Sequence, residues 1–146
     1  MVKKHRAPTI KAAFALFALM VMGHSHARTV KSIEIDAVGL NLDSVQNENA
    51  ARACKKFRPT KNQAIRFFNR AYPVESYVLT TDRFSSCYAE GSLKFSDGSF
   101  GKWILYSSGT ALFTFNRGDV VNLYYKHNNW HDPYACTYGL SDKGEC

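Results

Sequence analysis

From Tyr88 onward the chain alternates. Ala89, Gly91, Leu93 and Phe95 take one parity and Tyr88, Glu90, Ser92 and Lys94 the other, which is the period of a strand with one buried and one wet face. Residues 100–106, 110–115 and 120–126 continue as strands, punctuated by Asp97-Gly98, Ser108-Gly109 and Arg117-Gly118. Asp97-Gly98, between Phe95 and Phe100, predicts a two-residue hairpin turn of the primed type. Connections this short join only antiparallel neighbours. Ahead of this meander, the β-rich run SYVLTT (76–81) predicts another strand. Val30, Ile33 and Ile35 predict a short one near the start, followed by a polar connector through Asn41, Asp43, Asn47 and Asn49. Asp43 and Gln46 have the spacing of a cap for a short helix running toward Cys54.

One segment carries the 3.6-residue period instead. Thr60 and Gln63 have capping-box spacing, and Pro73 stops the helix after Tyr72. Ala64, Ile65, Phe67, Phe68, Ala71 and Tyr72 cover one face, and Asn62, Arg66, Asn69 and Arg70 the other. The expected core is Phe68, Leu93, Phe95, Trp103 or Ile104, Phe113, Phe115 and Leu123. The pattern therefore predicts an α+β domain: one amphipathic helix packed on an antiparallel meander of four to five strands, with a C-terminal loop pinned by a disulfide. That order is similar to cystatin-like domains, a likeness of layout with little functional weight.

The beginning of the chain changes the frame for charge. Lys3, Lys4, Arg6 and Lys11 precede an apolar run, FALFALMVM (14–22), and Ser25 and Ala27 are the small residues of a cleavage site. This is the pattern of a secretory signal peptide over 1–27, since the apolar run falls short of the roughly 20 residues that cross a bilayer. The expected organisation is then 1–27 signal peptide, 28–53 N-terminal strand and polar connector, and 54–146 a single α+β domain, with the mature chain periplasmic or secreted. The signal holds 4 of the 19 Lys and Arg and none of the 12 Asp and Glu. The formal charge of +7 therefore becomes 15 − 12, or +3, which removes most of the pull toward nucleic acid.

All four cysteines, Cys54, Cys87, Cys136 and Cys146, lie beyond the signal. An even count in an exported chain reads as two disulfides, with three pairings open. Their spacing is unlike the CxxC pairs of zinc ribbons or thiol oxidoreductases. No cofactor is implied.

Phe57 to Thr60 (FRPT), the Phe67-Phe68 pair, CYAEGSLKF (87–95), Asp97-Gly98, Trp103 and SGTA (108–111) together resemble a loosely defined group of small uncharacterised periplasmic proteins of Gram-negative bacteria. The resemblance spans about residues 57–125. It implies a periplasmic location and no particular activity. Small exported proteins of this size and layout often serve as inhibitors or immunity proteins against envelope-acting toxins and hydrolases.

The densest chemistry lies near the C-terminus, where His127, Trp130, His131, Asp132, Tyr134 and Cys136 fall within ten residues. His127 and His131, four apart, would share one side of a helix and suit a metal. However, Asn128-Asn129 and Asp132-Pro133 are loop formers, and a residue before proline leaves helical geometry. The expected role is a pinned surface loop with Trp130 and Tyr134 as partner anchors and no metal. No nucleophile elbow or acid pair marks an enzyme. Between Glu48 and Glu75 there is no acidic residue but seven basic ones, Arg52, Lys55, Lys56, Arg58, Lys61, Arg66 and Arg70, a candidate surface for anionic partners in which Arg66 and Arg70 lead. Arg117-Gly118-Asp119 spells an adhesion tripeptide that hairpin-turn chemistry explains equally well.

The function these features point to is a small exported protein-binding module that is not an enzyme, an inhibitor or immunity protein neutralising another envelope protein. Binding of an envelope glycan or lipid through the basic helix is the alternative, and a small hydrolase the third.

Overall fold

The computed structural model describes residues 28–42, 45 and 47–138. The predicted signal peptide, the Asp43 and Gln46 cap, and Cys146 lie outside the described residues. Strand β1 (Val30–Asn41) leads to two helices, α1 (Glu48–Cys54) and α2 (Lys61–Arg70). A two-residue strand β2 (Tyr72–Pro73) and a π-helical turn (Val78–Asp82) follow, then β3 (Cys87–Phe95), β4 (Phe100–Tyr106), β5 (Thr110–Phe115) and β6 (Val120–Tyr124). All six strands form one antiparallel sheet in the order β1-β3-β4-β5-β6-β2. The α+β class and the meander hold; the strand expected near the start and the short helix expected to run toward Cys54 are present as β1 and α1, and β2 is added to the layout.

The helices start where their caps dictate. Asn47 accepts hydrogen bonds from the backbone N–H groups of Asn49 and Ala50 at the head of α1. At the head of α2, Thr60 N–H donates to Gln63 Oε1 at 2.8 Å while the Thr60 hydroxyl accepts from Gln63 N–H at 3.3 Å, the reciprocal capping box. At the other end the expectation needs correcting. Helix α2 stops at Arg70, and Tyr72 is an exposed strand residue paired with Tyr124 rather than part of the buried face. Pro73 pushes the residue before it into extended geometry.

A second correction concerns SYVLTT. This β-branched run closes into the π-helical turn, with Arg83 N–H donating to Val78 C=O at 2.9 Å. A strand here would need a free sheet edge. The edge of β6 is already taken by Tyr72 and Pro73, and Val74 N–H donates to Asn122 C=O. Leu79 alone in the turn is buried.

The hairpins also differ from the expected primed type. Phe95 N–H donates to Ser99 C=O and Gly98 N–H to Phe95 C=O, so the loop holds three residues, Ser96, Asp97 and Gly98. Only the glycine has positive φ, at 86°. A primed two-residue turn needs φ above zero at Asp97 as well. The same three-residue pattern, with glycine third, recurs at Gly109 (φ 83°) and Gly118 (φ 98°). It is a type I turn closed by a glycine bulge.

The core lies between the helices and the inner face of the sheet. Trp103 is 1% exposed, facing Gly91 across one ladder and Phe113 across the next. A Cβ on Gly91 would sit 2.6 Å from the indole, so the glycine makes room for the largest core side chain. Phe68 of α2 packs on Trp103 and Phe113 at 5.6 and 6.4 Å between ring centroids. Leu93 and Phe95 are buried as expected, whereas Phe115 and Leu123 are only partly covered. Of the Trp103 and Ile104 pair, Trp103 points inward. The disulfide Cys54–Cys87, with both cysteines fully buried, ties the end of α1 to the start of β3.

Candidate functional site

The segment after β6 folds back over the core as an irregular loop, so the four-residue spacing of His127 and His131 does not place them on a helix face. Both imidazoles are exposed. Among the described residues no three His, Cys, Asp or Glu side chains are grouped to hold a metal ion, and neither histidine meets a serine hydroxyl to form a nucleophile relay.

Trp130 and Tyr134 are placed differently from free anchors. The Trp130 indole N–H donates to Ser107 C=O at 2.8 Å. Its ring meets Phe57 edge-on at 5.7 Å and lies 6.0 Å from Phe67. Tyr134 shares a hydrogen bond of 2.9 Å with the buried Ser86 hydroxyl. Both side chains are half-buried and fasten the loop onto the core. Gln63 of α2 adds a third attachment, donating to Asn129 C=O at 3.0 Å.

Asp132 organises the rest. Its Oδ1 accepts from the Ser107 hydroxyl at 2.6 Å, Tyr134 N–H at 3.0 Å and the Tyr138 hydroxyl at 3.2 Å. Ser107 also shares a 2.8 Å hydrogen bond with Ser85. Burial pushes the Tyr138 hydroxyl well above the usual tyrosine value, and the neighbouring Asp132 carboxylate adds to the effect. The network satisfies buried hydroxyls and locks the loop geometry. Cys136, also in a disulfide, has φ 148° in this loop.

Arg66 and Arg70 stand exposed on α2, on the side away from the sheet. Arg52 on α1, Lys55, Lys56 and Arg58 on the connection, and Lys61 at the start of α2 are exposed as well. Arg117 pairs with Asp119 and lies over Phe115, so the Arg-Gly-Asp tripeptide is a closed hairpin tip.

The feature that sequence reasoning did not single out is the outer face of the sheet. At one end this face is covered: Thr110 and Tyr124 face outward by register yet are buried, and the π-helical turn packs against β5. Arg83 lies over the rings of Tyr124 and Tyr138. At the other end the face is open and forms a trough of about 670 Å³. Phe100, 49% exposed, Ile104 and Leu112 form its apolar floor, and Asp36, Glu90, Lys102 and Thr114 its polar surroundings. The available signal was the outward parity of Phe100, Ile104 and Leu112, apolar residues on the face the alternation assigns to water.

Among the described residues no helix is long and apolar enough to cross a membrane. The buried disulfide fits a chain that matures in an oxidising compartment. Compared with known proteins, the chain matches no family model, no curated protein and no solved structure.

Proposed function

We propose that the chain is an exported protein-binding module of the inhibitor or immunity kind, which neutralises an envelope-acting protein by docking it on the open trough of the outer sheet face. The observation that carries this reading is the apolar floor, the exposed Phe100 with the partly buried Ile104 and Leu112, bordered by charged and polar side chains. An apolar centre with a polar rim is the anatomy of a protein interface, and aromatic residues at such centres dominate binding energy. The floor rests on central strands of a disulfide-tied sheet, so little order is lost on binding. The carboxylates of the lining, Asp36 and Glu90, belong to a binding rim in this reading.

The test is capture from an envelope extract on the immobilised, oxidised protein, washed at low and then high salt and read by mass spectrometry, beside a Phe100→Ala column. One protein held in stoichiometric amount through the salt wash by the wild type, and lost from the variant, is the expected result. Equal retention on both columns, or no stoichiometric protein on either, overturns the assignment.

A further inference from the structure

The opposite side of the molecule carries a second surface, independent of the trough. Both helices lie on the inner face of the sheet: Cys54 of α1 is bonded to Cys87, and Ala64, Phe67 and Phe68 of α2 join the core. Their outward sides and the connection between them are exposed. Every exposed residue from Glu48 to Arg70 is polar, and seven of them are Lys or Arg. None of those seven forms an ion pair among the described residues, in contrast to Arg28 and Arg117, which are paired with Asp97 and Asp119.

In two places this arrangement works against the local stability of α2, although Arg70 itself sits in the last turn, where the dipole favours a cation. Arg66 and Arg70 are one turn apart with like charge, which disfavours a helix. Lys61 occupies the first turn of α2, where the helix dipole favours an acid, and no acid is present. A single Glu at either place would relieve the repulsion. The dipole rule is kept in α1, where Glu48 opens and Arg52 closes the helix, but it yields at Lys61 of α2, and no acid offsets the positive charge over the 26 residues between Glu48 and Glu75, which marks a surface shaped by something outside the fold.

The surface is unlike a protein interface, whose centre is depleted in lysine and anchored by aromatic side chains. It lacks the exposed aromatic platform that would stack on a sugar. Apolar-free clusters of exposed Lys and Arg, here three and four of the seven, fit an array of phosphates at an anionic surface. We infer that the α1 and α2 face docks peripherally on an anionic phospholipid surface, held by headgroup phosphates with no side chain inserted into the hydrocarbon. The trough, on the other side of the sheet, is then turned away from the lipid and open to a partner.

The test uses the processed protein purified with its disulfides formed, its N-terminus fixed by mass, and vesicles of phosphatidylglycerol and phosphatidylcholine in equal parts. Cosedimentation at low salt is expected with these vesicles and not with pure phosphatidylcholine, falling steeply as salt rises. Arg66→Gln should lower the partition coefficient about fivefold and the double variant R66Q/R70Q about 25-fold, with unchanged circular dichroism and thermal midpoint no lower than wild type. Phe100→Ala should leave it unchanged. Absence of cosedimentation at low salt, equal binding by the double variant, or binding to dextran sulfate without binding to vesicles overturns the inference.

Discussion

Trp130 offers the sharpest test of how the C-terminal loop is built, because the structure assigns it a measurable share of stability. Truncation to alanine removes the ring contacts with Phe57 and Phe67 and the hydrogen bond to Ser107 C=O. Each aromatic pair is worth about 0.5–1.5 kcal/mol and the hydrogen bond about 1 kcal/mol. Ser107 is 2% exposed, so its carbonyl is left without that donor in a buried site. A fully buried Trp→Ala change costs about 3–5 kcal/mol. Trp130 is only half-buried, which places Trp130→Ala near the lower end, about 3 kcal/mol. Trp130→Phe keeps most of the ring contact and isolates the hydrogen bond, with an expected loss of about 1–2 kcal/mol. Urea unfolding with the disulfides intact reads both. Trp103, buried in the core, becomes the sole tryptophan reporter in either variant. At an m-value of about 2 kcal/mol/M the alanine variant should unfold about 1.5 M earlier. If Trp130→Ala instead unfolds within about 0.25 M of wild type while losing a captured partner, the residue is a binding anchor and the fastening role assigned to it is wrong.

Further expectations rest on separate features. Replacing Cys54 and Cys87 together by alanine should cost about 3.7 kcal/mol from the 33-residue separation alone, measured by the same urea titration; thiol titration of the unfolded, unreduced wild type should find no free cysteine. Gly98→Ala should cost about 1–2 kcal/mol for its positive φ in open space, whereas Gly109→Ala should cost clearly more, because its Cβ would meet Tyr125 O and Asn128 Nδ2 at 2.5 Å; thermal unfolding ranks the two. Hydrogen bonds from Ser99, then Arg28, hold Asp97 below the ordinary carboxylate value of 3.8. A depressed folded value stabilises above the unfolded value and is lost as pH falls through the folded one, so Asp97→Asn should flatten the acid limb of the stability curve below about pH 4. Tyr138, raised by burial and Asp132, runs the other way: its contribution is intact below its usual value of 10.0 and lost at higher pH. Ultraviolet titration should therefore find a tyrosine that ionises late, missing in Tyr138→Phe.

The meander was legible because each strand buries one parity. In β3 the burial of Cys87, Ala89, Gly91, Leu93 and Phe95 follows the written alternation residue by residue. The capping box was equally local, since Thr60 and Gln63 are three apart. What could not be read depended on distant partners. SYVLTT has strand propensity, but the occupied β6 edge decides its conformation. Strand β1 extends to Asn41, beyond the short strand expected, because its irregular register with β3 hides the pattern at Ala37 and Leu40. Trp130 looked like a surface anchor because its partners Phe57, Phe67 and Ser107 lie far away in sequence. The trough was hidden for the opposite reason: Phe100, Ile104 and Leu112 become neighbours only when β4 and β5 are paired.

The most direct test of the binding-module account is isothermal titration of the captured partner against wild type and Phe100→Ala, with Trp130→Phe as a folded control. The account predicts at least a tenfold weakening for Phe100→Ala, about 1.4 kcal/mol, and unchanged affinity for the control. Equal affinity for wild type and Phe100→Ala would contradict it and remove the outer sheet face as the docking surface.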